Sequence, residues 1–576
     1  MKSLLVANRG EIAVRVIRTA QDMGIRTIAI FSELDRDARH VEIADEAWNV
    51  GGAPASESYL NRETILRVAH ESGAEAIHPG YGFLSENAGF ARAVETAGII
   101  WVGPSGDAIE AMGDKITSRR NAEKSGVPTV PGITDPVTTV DEVVALAEQF
   151  GYPVAIKAAH GGGGKGLRVV HDANDATQAF EGARREADAY FGNPEVYVEK
   201  YLEKPRHVEA QILFDRHGTG LFLGERDCSV QRRHQKLIEE TPSPGFTTKQ
   251  RRALGKAAID AARSCNYTNA GTVEFLVDRN GDFYFLEMNT RLQVEHTVTE
   301  MVTGLDLVEW QLRIASGEKL TIGEVEPRGH AIEFRINAED PHQGYLPSPG
   351  QVVEWKEPAG PGVRVDSWIT PGTSVSQYYD NLMAKLVVWG ADRQSAINRG
   401  RRALKEFEVS GVSTTIPAHL AVLDHEDFIE GRHHTKWMEE VVTLDGQAPS
   451  AAPALPEEEE LSKRDITVEI GGRRFRVSYW APEPGAGGQI RRRPPKLSSG
   501  GPAAASDGVV SAPMQGTIVK VSVKAGESIR AGDPICVLEA MKMENEVSSP
   551  ASGEVVDLRV EPGDTVAAGQ VIAIVK

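Results

Sequence analysis

A chain of 576 residues exceeds what a single hydrophobic core organises, so three or four domains are expected. Apolar residues at 41% and charged residues at 25% are ordinary for a globular protein, while a formal net charge of -19 and only short basic runs (Arg251–Arg252, Arg401–Arg402, Arg491–Arg493) argue against nucleic acid as a partner. Three scattered cysteines exclude a disulfide framework and suit a reducing cytoplasm; the apolar stretch before Asn8 is too short for a signal peptide, and no run approaches the ~20 apolar residues of a membrane span.

The chain opens with a strand at Leu4–Ala7, a turn at Asn8–Gly10, a helix to about Met23 and a strand at Thr27–Phe31, the start of an α/β domain. It lacks G-x-G-x-x-G, so nothing favours a dinucleotide. Tyr152–Ala159 reads as a strand leading into His160 and the glycine run Gly161–Gly164. Such a run lets backbone N–H groups approach an anion and lets the loop act as a lid. It is not a Walker loop, because Gly-Lys-Ser/Thr and the following helix are missing. Alone it would be a flexible surface loop; Lys157 on the preceding strand and Lys115 upstream, both able to pair with nucleotide phosphates, shift the reading. Further on, Glu274 and Glu287 each interrupt an apolar strand-like run, a costly place for an unpartnered carboxylate. With Asn289 they offer the hard oxygen ligands that Mg²⁺ needs.

Two stretches rich in Pro, Gly, Ala and Ser, Gly446–Glu460 and Ala481–Gly508, read as linkers. Between them Asp465–Trp480 alternates in polarity about Gly471–Gly472, as one β-hairpin does. From Val509 the sequence repeats. Pro513, Gly516, Gly526 and Gly532 recur as Pro550, Gly553, Gly563 and Gly569, and β-branched runs fill the intervals, a pseudo-symmetric sandwich. Glu539–Glu546 falls on the hairpin joining the copies, with Lys542 at its tip between Met541 and Met543. A turn lysine is ordinarily just solvated, but this one marks the junction of a repeat and is flanked by soft apolar side chains that a modifying enzyme can recognise.

The Ala-Met-Lys-Met segment and its repeat resemble the biotinyl carrier family, in which this lysine receives biotin; lipoyl domains share the fold without the paired methionines. The body resembles the ATP-grasp superfamily and, within it, biotin carboxylase. The matching segments are Asn8–Ala13, His78–Asn87, the glycine lid, Glu225–Lys236 and Glu287–His296. The resemblance implies a multidomain α/β and α+β fold: a Rossmann-like pre-ATP-grasp domain (1–112), an ATP-grasp domain (113–320) and a biotin carboxylase C-terminal domain (321–445). A linker with a short hairpin (446–508), a possible partner-docking segment, and an all-β, lipoyl-like biotinyl sandwich (509–576) would follow. It implies an ATP site of Lys115, Lys157, Gly163, Gly164, Glu199, Lys200, Leu202, His207, Gln231 and His234, with the 199–202 stretch reading the adenine edge through backbone groups. Glu274, Glu287 and Asn289 would hold Mg²⁺ or Mn²⁺; Lys236, Arg291, Gln293 and Val294 would fix bicarbonate. Glu295 would be the general base, and Arg335 would stabilise the biotin enolate. The ribose contact that some relatives place near Gly431–Trp437 stays unassigned.

The implied activity is ATP- and bicarbonate-dependent carboxylation of biotin on Lys542, the carboxyl group then passing to acetyl-CoA or propionyl-CoA in fatty acid or short-chain acyl-CoA metabolism. A separate carboxyltransferase β subunit is expected, because the chain ends with the carrier. Biotin protein ligase would be a second partner, and the body would form a homo-oligomer. A carbamoyl phosphate or purine ligase would share the lid and the metal acids but has no use for the Ala-Met-Lys-Met domain. A scaffold with a degenerate ATP site would not keep Lys115, Lys157, Glu274, Glu287, Arg291, Glu295 and Arg335 together.

Overall fold

The computed structural model describes residues 1–133, 135–158, 167–191, 193–444, 461–470, 473–482, 508–513, 516–540, 543–566 and 569–576. They fall into two units, Met1–Ala448 and Pro449–Lys576. Among the described residues no helix is long and apolar enough to cross a membrane.

The first unit begins with a five-stranded parallel sheet. Its spatial order is Glu46–Gly51, Arg26–Ser32, Ser3–Val6, Ala76–His78, Ile100–Trp101. The helix Gly10–Asp22 buries Ile12, Val16 and Ile17 against it. This is the α/β opening expected from the sequence. The His78–Asn87 motif closes over the end of the first strand, where Asn8 Nδ2 donates to Pro79 O at 2.7 Å and Tyr81 O at 2.8 Å. Gly80 has φ +63° there, and a Cβ would stand 2.8 Å from Asn8 Nδ2, so any larger residue would break that closure.

The centre of the unit is an eight-stranded sheet whose paired strands are antiparallel. Its order is Phe283–Asn289, Asn269–Val277, Arg206–Phe214, Gly220–Arg232, Gln235–Thr241, His330–Asn337, Leu382–Gly390, Val363–Ser367. Gln235–Thr241 pairs directly with His330–Asn337. The chain division expected at residue 320 therefore does not divide the sheet, and side chains from both sides of it can reach one floor. The helix Thr248–Ser264, opened by a Thr247–Gln250 capping box, packs Leu254, Ala258 and Ala261 on one face, leaving the other to the site. A separate three-stranded sheet orders Leu167–Val170, Val154–Ala158 and Val196–Lys200. The glycine run between its first two strands in sequence, with Gly163 and Gly164, lies outside the described residues.

In the second unit the expected hairpin is longer than Asp465–Trp480: Leu461–Ile470 pairs with Arg473–Pro482 along its whole length. Residues 461–464 and 481–482 thus belong to strands, and Ala481–Pro482 is not linker. Gly471–Gly472, the linker stretches 446–460 and 483–507, and Lys542 lie outside the described residues.

The carrier forms two four-stranded sheets. One orders Val509–Ser511, Val571–Val575, Gly553–Leu558, Ser528–Ile529; the other orders Met543–Ser548, Pro534–Ala540, Gly516–Val521, Thr565–Val566. The strands starting at Gly516, Ser528 and Pro534 reappear 37 residues later at Gly553, Thr565 and Val571. Each copy lends its short strand to the other's sheet: Ser528–Ile529 pairs with Gly553–Leu558, and Thr565–Val566 with Gly516–Val521. The repeat glycines have a reason. A Cβ at Gly516 would lie 2.5 Å from Glu539 O, and one at Gly553 2.4 Å from Lys576 O. Pro534–Ala540 and Met543–Ser548 pair up to Ala540 opposite Met543.

Candidate active site

A cavity of about 930 Å³ opens over the eight-stranded sheet of the first unit, walled on the other side by the three-stranded sheet. Its floor is set by register. Glu209, Glu274 and Glu287 stand opposite one another on three adjacent strands, so all three carboxylates rise from one face. Asn289, two residues beyond Glu287, shares that face.

Acids at this spacing repel unless compensated, and Lys236 compensates Glu209 and Glu274. Its ammonium donates to Glu295 Oε1 at 2.6 Å, Glu209 Oε2 at 2.7 Å and Glu274 Oε1 at 3.0 Å. Arg335, from the strand beyond residue 320, donates through Nε to Glu239 at 2.6 Å and through Nη2 to Glu295 Oε2 at 2.9 Å. Glu295, 2% exposed, is thus clamped between two cations. Burial alone would raise its carboxyl, but Lys236, Arg335 and Arg226 outweigh burial and hold it below the ordinary carboxylate range. The same contest leaves Glu274 well below that range, with Lys236 and His207 opposing burial. His207 Nε2 lies 3.1 Å from Glu274; burial disfavours its charge, yet Glu274 carries its value above normal.

Around this floor stand the other residues expected from the sequence. Gln293 Nε2 donates to Glu274 at 2.7 Å and Asn289 Nδ2 at 2.9 Å. Arg291 lines the cavity and donates through Nε to Glu86 at 2.8 Å, through Nη2 to Asn289 Oδ1 at 3.0 Å and through Nη1 to Leu292 O at 3.3 Å. Val294 lines the cavity while its carbonyl accepts from buried Lys385 at 3.0 Å. At the far end Lys157 pairs with Glu199, which Arg119 also approaches at 3.4 Å. Lys200 does not present its ammonium: Nζ donates to Gly151 O at 2.7 Å and Tyr152 O at 3.0 Å, and its N–H to Pro131 O at 2.7 Å. What it can offer an adenine edge is its carbonyl. Leu202, Gln231, His234 and Glu287 also line the cavity. Lys115 opens the helix Lys115–Lys124, its side chain outside the described residues together with Gly163, Gly164 and Lys542.

Glu274, Glu287 and Asn289 supply two carboxylates and an amide oxygen on one sheet face, a donor set that fits Mg²⁺. A second acidic grouping, Glu209–Cys228–Glu295, includes a buried thiol that burial pushes well above its ordinary value, which does not suit a hard cation.

Several residues that build the site escaped the sequence reading. Arg226, fully buried, donates to Glu209, Gln211, Thr299, Thr272 and Gln293, and so fixes the floor from below. Glu86 seats Arg291 and accepts from Thr290 N. Glu239 and Glu333 face each other across neighbouring strands behind Arg335. Burial pushes Glu239 up to about 7 against the pull of Arg335, and burial together with Glu239 raises Glu333 well above its ordinary value. A carboxylate inside an apolar alternation, the signal that found Glu274, also marks Glu209 in His207–Leu213. Lys436, in the stretch left unassigned, lines the cavity and donates to Tyr201 Oη at 2.5 Å.

Comparison with known proteins covers nearly the whole chain. Residues 1–109 match the model for "Biotin carboxylase, N-terminal domain", 114–322 that for "Carbamoyl-phosphate synthase L chain, ATP binding domain", 333–440 "Biotin carboxylase C-terminal domain" and 508–575 "Biotin-requiring enzyme". The chain is 50% identical over 556 residues to the biotin-dependent acyl-coenzyme A carboxylase alpha3 subunit of Mycobacterium leprae, covering 94% of this chain and 93% of that one. It is 40% identical to the propionyl-CoA carboxylase alpha chain of Ruegeria pomeroyi, covering 94% and 95%. The biotin carboxylase domain dimer of Hydrogenobacter thermophilus 2-oxoglutarate carboxylase, solved with MgADP, ADP and bicarbonate, superposes with a TM-score of 0.71 at 48% identity, covering 76% of this chain and 97% of that one.

Proposed function

Since the chain belongs to the biotin-dependent carboxylases and joins a biotin carboxylase to a biotinyl domain, we propose that it carboxylates biotin held on its own Lys542 and supplies an acyl-CoA carboxyltransferase. ATP, Mg²⁺ and biotin are its cofactors. The acyl group is acetyl or propionyl, transferred on a separate β subunit; the names of the Mycobacterium leprae and Ruegeria pomeroyi relatives support this. Biotin protein ligase would load Lys542, Mn²⁺ would substitute for Mg²⁺, the body would self-associate, and the cytoplasm would be the setting.

The observation that carries the proposal is Glu295 held between Lys236 and Arg335 at one end of a cavity whose other end carries Lys157 and the 199–202 hinge. Bicarbonate is a poor electrophile and needs activation by a phosphoryl group. Glu295 is ionised and within reach of any anion that Lys236 and Arg291 draw in. As the incoming anion takes over part of the attention of Lys236 and Arg335, the carboxylate loses the partners that depress its value and becomes a stronger base. It can then accept the bicarbonate proton. Gln293 and the Val294 backbone border the same space and orient the anion. Lys157 and Lys115 would neutralise charge on the transferring phosphoryl oxygens, and the glycine lid would keep water out. Glu274, Glu287 and Asn289 would hold Mg²⁺, which would supply further charge neutralisation at the phosphates, and biotin would supply the ureido nitrogen that takes the carboxyl group. Arg335 stands beside Glu295 with its guanidinium toward the cavity, placed to stabilise negative charge on the biotin ring.

ATP cleavage by the full chain should require bicarbonate and rise with added free biotin. Cleavage indifferent to both would remove the proposal.

A further inference from the structure

A second cavity, about 510 Å³, lies on the reverse face of the strand that helps floor the first. Along Arg206–Phe214 the side chains alternate: His207 enters the nucleotide-sized cavity and Arg206 the smaller one. We propose that this second cavity binds a phosphate-class anion and that its occupancy is read at the nucleotide site through residues His433–Lys436.

The charges of the wall decide the class of ligand. Its acids are committed. Asp278 accepts from the N–H groups of Asn280 at 2.8 Å and Asp282 at 3.0 Å, and Asp427 from Arg432 at 2.9 Å and Trp437 Nε1 at 3.1 Å. Arg206 is likewise committed, to Asp227 at 3.0 Å. The cations left over are Arg279, which is exposed and pairs with no acid among the described residues, and Lys204, whose one acid is Glu440 at 3.4 Å on the surface. His433 adds an independent sign. It is 1% exposed, it lines the cavity, and its Nδ1 has no hydrogen-bond partner among the described residues, while Nε2 lies 3.5 Å from Asp227 and 3.8 Å from Glu240. A buried donor or acceptor left unpaired in a polar cavity calls for a ligand atom. Burial lowers the neighbouring His434; Glu440 opposes this, and Lys204, Arg279 and His433 reinforce it. On the wall itself Lys204, Arg206, Arg279 and Arg432 outnumber Asp278 and Asp427, an excess of positive charge within a chain of net charge -19. A compact dianion with several acceptor oxygens is what such a wall recognises.

The link between the cavities is one short segment. His433 and His434 line the smaller cavity, whereas Thr435 and Lys436 line the larger. Thr435 N donates to Pro205 O at 3.0 Å and Lys436 Nζ to Tyr201 Oη, beside the 199–202 hinge. An anion drawing His433 and His434 toward Arg279 moves the same turn that carries Lys436. This coupling rests on reading the larger cavity as the ATP site; the anion binding does not.

Inorganic phosphate is the probe. Titration calorimetry on the full chain saturated with MgADP and bicarbonate should find a phosphate site whose affinity falls about tenfold or more in Lys204→Glu/Arg279→Glu. Basal turnover without phosphate should be unchanged in that variant and in the milder Lys204→Ser/Arg279→Ser. Added phosphate should change the KM for ATP about twofold more in the wild type than in either variant, product inhibition being common to all three. Equal phosphate affinity in wild type and variants overturns the site. Lost affinity with an identical phosphate effect on KM overturns the coupling and leaves the ATP reading untouched.

Discussion

Replacing Arg226 by methionine tests the foundation of the site. Its side chain and that of Glu209 are both fully buried, and Nε approaches Glu209 Oε1 at 2.5 Å. Removing one partner of such a pair strands a buried charge, at a cost of about 3–5 kcal/mol. Gln211, Thr299, Thr272 and Gln293 lose donors as well, at roughly 1 kcal/mol for each that water cannot reach. Lys236 still reaches Glu209 at 2.7 Å, which argues for the lower end of the sum. In a thermal scan of the full chain the transition of the first unit should fall by on the order of 3–6 °C. Arg226→Met/Glu209→Gln should recover about 2 kcal/mol relative to the single change, because the stranded charge is gone. The single variant should also raise the KM for bicarbonate, since Gln293 loses its anchor and Gln293 holds Glu274. A shift within experimental error, or a double variant worse than Arg226→Met alone, refutes the argument that Arg226 carries the floor.

Lys236→Met leaves Glu295 with Arg335 and Arg226 only, so its carboxyl rises toward the ordinary range. A base that must be ionised loses activity as pH falls through its folded value; the acidic limb of kcat/KM for bicarbonate should therefore move up by about one to two units, and an unmoved limb contradicts the clamp. Glu339 is raised to about 7 by burial, against the hydrogen bonds of Asn381 and Asn337. An acid whose folded value is raised destabilises the fold as pH climbs from its unfolded value through the folded one, so Glu339→Gln should gain roughly 2–3 kcal/mol on wild type between pH 4.5 and pH 7; parallel stability curves in denaturant at the two ends would count against it. Gly553→Val drives a side chain into Lys576 O, and the fraction of chain biotinylated in cells should drop while biotin-free ATP chemistry of the first unit stays intact; full biotinylation would show that the repeat glycine is dispensable.

The carrier was the most legible part, because strand exchange between two copies needs glycine at the same place twice, and a period of 37 survives in a linear reading. Glu274 and Glu287 were legible for a related reason: a carboxylate inside an apolar run has to be answered by something. What answers it was not. Arg226, Glu86 and Lys385 reach the site from strands and loops far apart in sequence, and only the register of the eight-stranded sheet brings Arg226 beneath Glu209 and Arg335 beside Glu295. That sheet takes strands from both sides of residue 320, where the resemblance implied a domain boundary. The hairpin was found but cut short at both ends, since polar alternation fades at Leu461–Arg464 and Ala481–Pro482 while backbone pairing continues. Lys200 lines the cavity, but the use of its ammonium to fasten Gly151 and Tyr152 depends on where an adjacent loop folds back.

One labelling experiment meets the central claim head on. The biotinylated chain, given ¹⁴C-bicarbonate and MgATP for a single turnover, should retain acid-labile label on the fragment containing residue 542. Lys542→Arg should retain none, yet still cleave ATP when free biotin is added. Label held equally by Lys542→Arg, or a wild-type fragment that stays unlabelled while ATP is consumed, would show that the two units do not share one reaction.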